Sequence, residues 1–259
     1  MCLILFSYQM HPLYPLVFAA NRDEFYNRPT APLDFQDEAR QILSGRDIKH
    51  NGTWLGVTKT GRLAAITNFR DPSIVVENAP SRGHLISDFL TSDESPETYL
   101  ETVKSMGNQY NGFNIIAGNP TGLFYYSNRG KRIQKIRPGL HGLSNKFLNT
   151  PWPKIEKGKA YLKEVIDGNE RINPEDIFNI LKDNAYPPSH MLPNTGVGRC
   201  WEKILSPLFI TSKFYGTRSS SIILMEKTGK VIFMERTFII DSAGPQEENT
   251  REFSFIVSP

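Results

Sequence analysis

Four times along the chain, two short apolar runs are separated by a segment built to turn, and this spacing restricts the fold to antiparallel pairing of neighbouring strands. Leu3–Tyr8 and Leu16–Asn21 flank a proline-containing turn. Trp54–Thr58 and Arg62–Asn68 flank Lys59-Thr60-Gly61. Phe113–Gly118 and Leu123–Ser127 flank Asn119-Pro120-Thr121-Gly122. Ser220–Met225 and Val231–Phe238 flank a loop from Glu226 to Lys230, and Phe253–Val257 reads as a closing strand. Between the hairpins lie capped helices. Ser81 can cap residues 82–90. Ser95-Pro96-Glu97 offers a cap, a first-turn proline and an acid ahead of Met106. Thr150-Pro151-Trp152 opens a third helix, with Trp152, Ile155, Leu162, Val165 and Ile166 near one face. Asn173-Pro174-Glu175-Asp176 opens a fourth that runs to about Leu181. Asn184–Gly198, with three prolines and two glycines, reads as a surface loop. Hairpins with separate helices predict an α+β layered fold in one domain over residues 1–259, not a doubly wound parallel sheet. No Gly-rich phosphate loop follows a strand.

Charge and hydropathy narrow the function classes. The 30 basic and 27 acidic residues leave a net charge of +3, too balanced for a nucleic-acid binder. The densest basic cluster, Arg129, Lys131, Arg132, Lys135 and Arg137, reads as a solvated strand or loop, or as an anionic-ligand patch. No stretch has the length of a membrane-spanning helix. The apolar Met1 to Phe6 has no basic segment before it and no small-residue cleavage pattern after it, so a cytoplasmic protein is expected. Cys2 and Cys200 fit a reducing compartment. Neither they nor the five histidines show metal-ligand spacing, so no metal or cofactor is expected.

The second residue carries the chemistry. Cysteine is small, so the initiator methionine is expected to be removed, leaving a free α-amine on Cys2. Such an amine has a pKa near 8 and can take the proton of its own thiol, directly or through water. A turn centred near His11-Pro12 sets Cys2 beside Asn21 and Arg22, so Asn21-Arg22-Asp23-Glu24 lies next to the N-terminus. The Asp23 carboxylate can hold the α-ammonium, and Arg22 can favour the thiolate. The alternatives are a small buried hydrophobe at Cys2 and a plain turn at 21–24. Asn68 and Asn145 each end an apolar strand and can donate to an oxyanion, or serve as turn or cap residues. Arg218 can bind a carboxylate or phosphate, sit against the thiolate, or form a surface ion pair. His84 and His141 are acid–base candidates or structural histidines. Trp54, Phe69, Phe113 and Trp152 read as core or groove wall.

The motifs Met1-Cys2, Ala19-Ala20-Asn21-Arg22-Asp23-Glu24-Phe25, Gly52-Thr53-Trp54-Leu55-Gly56, Leu63-Ala64-Ala65-Ile66-Thr67-Asn68, Tyr110-Asn111-Gly112-Phe113-Asn114, Gly142-Leu143-Ser144-Asn145 with Thr150-Pro151-Trp152, and Tyr215-Gly216-Thr217-Arg218 resemble the NRDE family, also called the Transport and Golgi organization protein 2 family. The resemblance covers nearly the whole chain in order. It implies a four-layer αββα sandwich of antiparallel sheets like the N-terminal nucleophile hydrolases, which include bile-salt hydrolase, penicillin V acylase and an acyltransferase acting on 6-aminopenicillanic acid. Against that pattern Cys2 resembles the nucleophile and Asp23 the aspartate that binds its amine. Asn68 and Asn145 resemble the oxyanion asparagines, and Arg218 the late arginine. Asn21, Arg22, Trp54 and Asn114 are then the expected substrate-binding residues. Where those hydrolases carry an arginine this chain has Ala20. Arg22 is the available substitute, with its side chain expected on the other face of the strand. The implied function is an amidohydrolase or acyltransferase acting on an amide or thioester of a small amphipathic acyl substrate. The alternative is a non-catalytic binding or trafficking protein for haem, acyl-CoA or lipid, the ligands with which eukaryotic members are linked.

Overall fold

A computed structural model describes residues 2–36, 41–168, 170–241 and 244–257. In chain order the strands are β1 (Cys2–Tyr8), β2 (Leu16–Phe25), β3 (Thr30–Phe35), β4 (Ile42–Asp47), β5 (Leu55–Thr58), β6 (Leu63–Asn68), β7 (Phe113–Asn119), β8 (Gly122–Ser127), β9 (Gln134–Lys135), β10 (Gly139–Leu143), β11 (Tyr215–Met225), β12 (Lys230–Asp241) and β13 (Gly244–Ile256). The helices are α1 (His84–Thr91), α2 (Pro96–Met106), α3 (Pro153–Gly168), α4 (Pro174–Leu181) and α5 (Arg199–Ile204). The chain divides into two compact units.

The first unit comprises residues 1–27, 138–144 and 148–256. Its sheet has the order β10-β1-β2-β11-β12-β13, antiparallel throughout. The first two hairpin arms pair as the turn chemistry requires, and β1 and β2 are buried along almost their full length, so both faces are out of water. One face is covered by α3 and α4. Leu3, Leu5, Val17, Ala19, Ile222 and Leu224 from the sheet meet Ile155, Leu162, Ile166, Ile177, Phe178 and Leu181 from the helices. The helix seat is close. A methyl group on Gly158 of α3 would stand 2.5 Å from the Leu5 side chain. Asn173 caps α4 as its sequence predicts, accepting from the Glu175 N–H.

The second unit comprises residues 28–137 and 145–147 with the last residues of the chain. Its sheet runs β3-β4-β5-β6-β7-β8-β9. Helices α1 and α2 cover one face through Leu85, Ile86, Phe89, Leu100 and Val103 against Ala64, Ile66, Ile115 and Ala117. Ser95 caps α2, accepting from the Thr98 N–H at 3.1 Å. Helix α1 starts two residues later than the Ser81 signal suggests. Gly83 is pressed against the backbone of Gly52 and Thr53, and residues 81–83 make turn hydrogen bonds instead.

Elements not expected from sequence are β3, β4, β9 and α5. Pro32 interrupts β3, which slips register between Ala31 and Asp34. In β4, Gly45 is obligatory because a Cβ there would meet the Trp54 indole at 2.4 Å. Strand β13 is much longer than the Phe253–Val257 run, because its first half is polar and lies at the sheet edge. Among the described residues no helix is long and apolar enough to cross a membrane.

Candidate functional site

The β1–β2 register pairs Cys2 with Arg22 and Leu3 with Asn21. The head of the first strand and the tail of the second therefore meet where the turn position places them. Directly opposed residues share a face, so Cys2 and Arg22 project together, on the face opposite the Leu3 and Leu5 side chains that pack on α3 and α4. This corrects the expectation that Arg22 leaves on the other face from position 20. Side chains two residues apart on a strand fall on the same side, so Ala20 and Arg22 line up with Cys2.

Asp23, the next residue of β2, is buried. Its backbone N–H donates to the Cys2 thiol. Its Oδ1 accepts from the Thr217 hydroxyl at 2.8 Å, and its carbonyl accepts from the Tyr215 hydroxyl at 2.9 Å. The Thr217 oxygen in turn accepts from the Ile210 N–H at 2.9 Å. Gly216, between these two partners, has no room for a side chain: a Cβ would stand 2.2 Å from the Tyr26 hydroxyl and 2.4 Å from the Ile210 carbonyl. Ser144 donates to the Cys2 carbonyl at 3.3 Å. Tyr215, Thr217 and Ser144 are the supports that sequence reasoning did not single out, although each lies inside a quoted motif.

A β-bulge between Thr217 and Ser219 takes Arg218 out of the β2–β11 register. Its Nη1 donates to the carbonyls of Phe25 (3.1 Å) and Tyr26 (3.0 Å). Burial lowers the Arg218 pKa, and the neighbouring Arg22 charge lowers it further, against the opposing effects of Glu24, Glu248 and Tyr26. The two guanidinium groups thus feel one another. Burial also dominates at Cys2 and raises the thiol pKa. The N-terminal ammonium charge opposes the rise most, the Asp23 charge adds to it, and Arg22 and the Asp23 N–H oppose it further. The thiol is therefore held as S–H at neutral pH and needs a base to become nucleophilic.

Asn21 differs from the substrate-binding expectation. It is fully buried, its Nδ2 donates to the carbonyls of Leu181 (2.8 Å) and Leu208 (2.9 Å), and its Oδ1 accepts from Ser220 at 2.6 Å. It ties β2 to the end of α4 and has no face toward a ligand. His141 stacks on Phe6 and bonds Asn149, a structural role.

The other candidates lie in the second unit. Asn145 is buried. Its Nδ2 donates to the Asn68 carbonyl at 2.9 Å, and its Oδ1 accepts from Arg70 Nη2 at 3.1 Å. The Arg70 N–H donates to the Asn145 carbonyl at 2.7 Å. Arg70 therefore fixes which way the Asn145 amide points. The Asn68 side chain, at the end of β6, is partly exposed and makes no hydrogen bond among the described residues. The two strand-end asparagines are thus neighbours within this unit. Lys146 lies over the Phe69 ring at 4.7 Å. Asn114 departs from its expected substrate role. It is fully buried, donates to Thr67 (3.1 Å) and the Lys146 carbonyl (2.9 Å), and accepts from Tyr125 at 2.8 Å. It positions the 145–147 strap. Trp54 is partly buried and packs against the α1–α2 core and over Gly45. His84 bonds the His50 carbonyl. Among the described residues no group of three or more His, Cys, Asp or Glu could hold a metal ion.

Comparison with known proteins follows the same outline. The family profile described as "Transport and Golgi organisation 2" matches residues 1–239. The mouse Transport and Golgi organization 2 homolog is 37% identical, over 98% of this chain and 99% of that protein. The human homolog is 36% identical with the same coverage, and the Drosophila melanogaster protein is 26% identical over 92% of each. Among solved structures, a variant of the conjugated bile acid hydrolase from Clostridium perfringens matches with a TM-score of 0.53 at 11% identity, covering 100% of this chain and 98% of that one. The Caenorhabditis elegans N-acylethanolamine-hydrolyzing acid amidase ortholog matches with a TM-score of 0.51 at 10% identity, over 86% and 92%. These likenesses show the fold alone, an α+β arrangement of antiparallel sheets with helices.

Proposed function

The chain belongs to the Transport and Golgi organisation 2 family, and from that premise we propose that it is an N-terminal-cysteine amidohydrolase or acyltransferase acting on an amide or thioester of a small amphipathic acyl substrate. The observation that carries the proposal is the pairing of Cys2 with Arg22, which sets the thiol against the amide of the buried Asp23. With Met1 removed, the α-amine of Cys2 takes the thiol proton, as the raised thiol pKa requires, and the Asp23 carboxylate orients that amine. The thiolate attacks the carbonyl carbon, and the resulting oxyanion needs hydrogen-bond donors, the role in which Asn68 and Asn145 resemble the oxyanion asparagines of N-terminal nucleophile hydrolases. Loss of the amine or thiol leaving group gives an acyl-cysteine, which water or an amine resolves. The names of the two fold neighbours, an amidase and a bile acid hydrolase, support this reaction class.

Arg22 and Arg218 favour a substrate with an anionic group, since a negative charge relieves the repulsion between two partly buried cations. The same observation supports a second reading, a carrier for acyl-CoA, haem or lipid in which Cys2 does not turn over. Steady-state assays separate them. Acyl amides and acyl-CoA thioesters are hydrolysed by the wild type and not by Cys2→Ala on the first reading. On the second, both proteins are inactive yet bind palmitoyl-CoA or haem at one saturable site.

A further inference from the structure

The first unit carries large apolar side chains that its core does not use. Phe214 is 66% exposed, and Phe25, Tyr186, Met191 and Trp201 lie between 41% and 51%. Shared neighbours and backbone ties link most of them into a crest. The Phe25 and Trp201 rings both meet Tyr215, at 5.2 Å and 6.2 Å. The Tyr26 N–H donates to the Phe214 carbonyl at 3.0 Å. The Pro-rich loop that holds Tyr186 and Met191 is fastened to α5 by Arg199 on the Ser189 carbonyl and by Thr195 on Glu202. Scattered exposed apolar residues need no explanation, but a contiguous set of this size does.

Basic residues gather in the same place, although Glu24, bonded to the Phe25 N–H, and Glu248 act on Arg218 there. Residues 186–218 contain Arg199, Lys203, Lys213 and Arg218 and a single acid, Glu202, which is buried and bonded to Thr195. This stretch therefore accounts for the whole net charge of +3, and the rest of the chain is neutral. Two of the ammonium groups lie over crest rings, Lys203 over Tyr186 at 5.7 Å and Lys213 over Phe214 at 5.1 Å. Aromatic rings with basic groups beside them suit the boundary between acyl chains and anionic headgroups, where the ring enters and the cation stays at the phosphate level.

We propose that this crest is a docking surface for a bilayer bearing anionic lipid. It adjoins the cysteine half of the candidate site, because the Tyr215 hydroxyl beneath it is bonded to the Asp23 carbonyl. An amphipathic ligand resident in a membrane would reach the protein at that edge. The inference stands apart from the reaction at Cys2, since vesicle binding requires no turnover.

The test is co-sedimentation of the full chain with vesicles of phosphatidylcholine alone and of phosphatidylcholine with phosphatidylserine. Wild type binds the mixed vesicles and binds the neutral ones weakly. Each basic residue near such a surface is worth about a fivefold factor in affinity, so Lys203→Gln with Lys213→Gln loses about thirtyfold. Phe214→Ser, at an exposed position, loses binding several-fold with an unchanged melting temperature. Equal binding to the two vesicle types overturns the proposal. So does an equal loss from Lys131→Gln with Lys135→Gln, in the other unit, which would reflect overall charge. Undiminished vesicle binding by Phe214→Ser, with full competition by polyglutamate, would identify a purely electrostatic site and also overturn it.

Discussion

Cys2 is the residue on which the proposed chemistry turns, and its environment says what it lacks. Burial holds its proton on and the Asp23 charge reinforces this, while the N-terminal ammonium and Arg22 oppose it without overcoming it. A raised pKa means that the thiolate fraction at pH 7 is smaller than for an ordinary thiol and grows only as pH rises above the usual cysteine range. In a chain with a blocked N-terminus, iodoacetamide should therefore label Cys2 slowly at neutral pH and faster toward alkaline pH. Exposing the α-amine supplies the base, and the neutral-pH rate should rise. Equal rates in the two forms would remove the amine from the account. At Asn68, whose side chain is uncommitted among the described residues, alanine should lower kcat by about 10²–10³ with little change in folding stability, the effect of losing one oxyanion donor. A change confined to KM would assign Asn68 to binding. The sequence made Cys2, Arg22 and Asp23 legible because a hairpin's ends meet by geometry. It did not separate Asn21 and Asn114 from functional amides, because an asparagine at a strand end looks the same whether it faces ligand or is consumed by buried carbonyls.

Elements were legible where local chemistry alone decides them. The four hairpins and the caps at Ser95 and Asn173 follow from turn residues and capping rules. Strands β3 and β4 were not, since Pro32 and Gly45 argue against a strand until the tertiary contact with Trp54 is known. Neither was α5, a six-residue helix too short to show a period. The joints between elements carry testable energy. Asn21→Ala leaves two buried carbonyls and the Ser220 hydroxyl without their partner, and should cost about 2–4 kcal/mol. Urea denaturation measures this, and a loss below about 0.5 kcal/mol would show that the tie between β2 and α4 is dispensable. Removing the cap with Asn173→Ala should cost only about 1 kcal/mol, because the exposed first turn of α4 can bond water instead.

At the scale of the whole molecule, each unit builds one antiparallel sheet under two helices, and the chain visits the first unit at both ends of its sequence. The residue after Ser144, which holds the Cys2 carbonyl, is Asn145, which holds Asn68. Hydrogen exchange should be slowest in the central strands β1, β2, β5, β6 and β7 and fastest at the edge strands β3, β9 and β13, and slow exchange along β13 would contradict the sheet order. The family and fold were legible because motifs recur along the full length, whereas the substrate was not, because no motif encodes it. The central claim is that Cys2 acts as an N-terminal nucleophile. Intact-mass and peptide mass spectrometry of the mature protein after exposure to an activated acyl ester tests it most directly, with Cys200→Ser removing the exposed second thiol. The account predicts a chain that begins at Cys2 and carries a single acyl group on it, absent from Cys2→Ala. A chain that keeps Met1 and takes up no acyl group at Cys2 would contradict it.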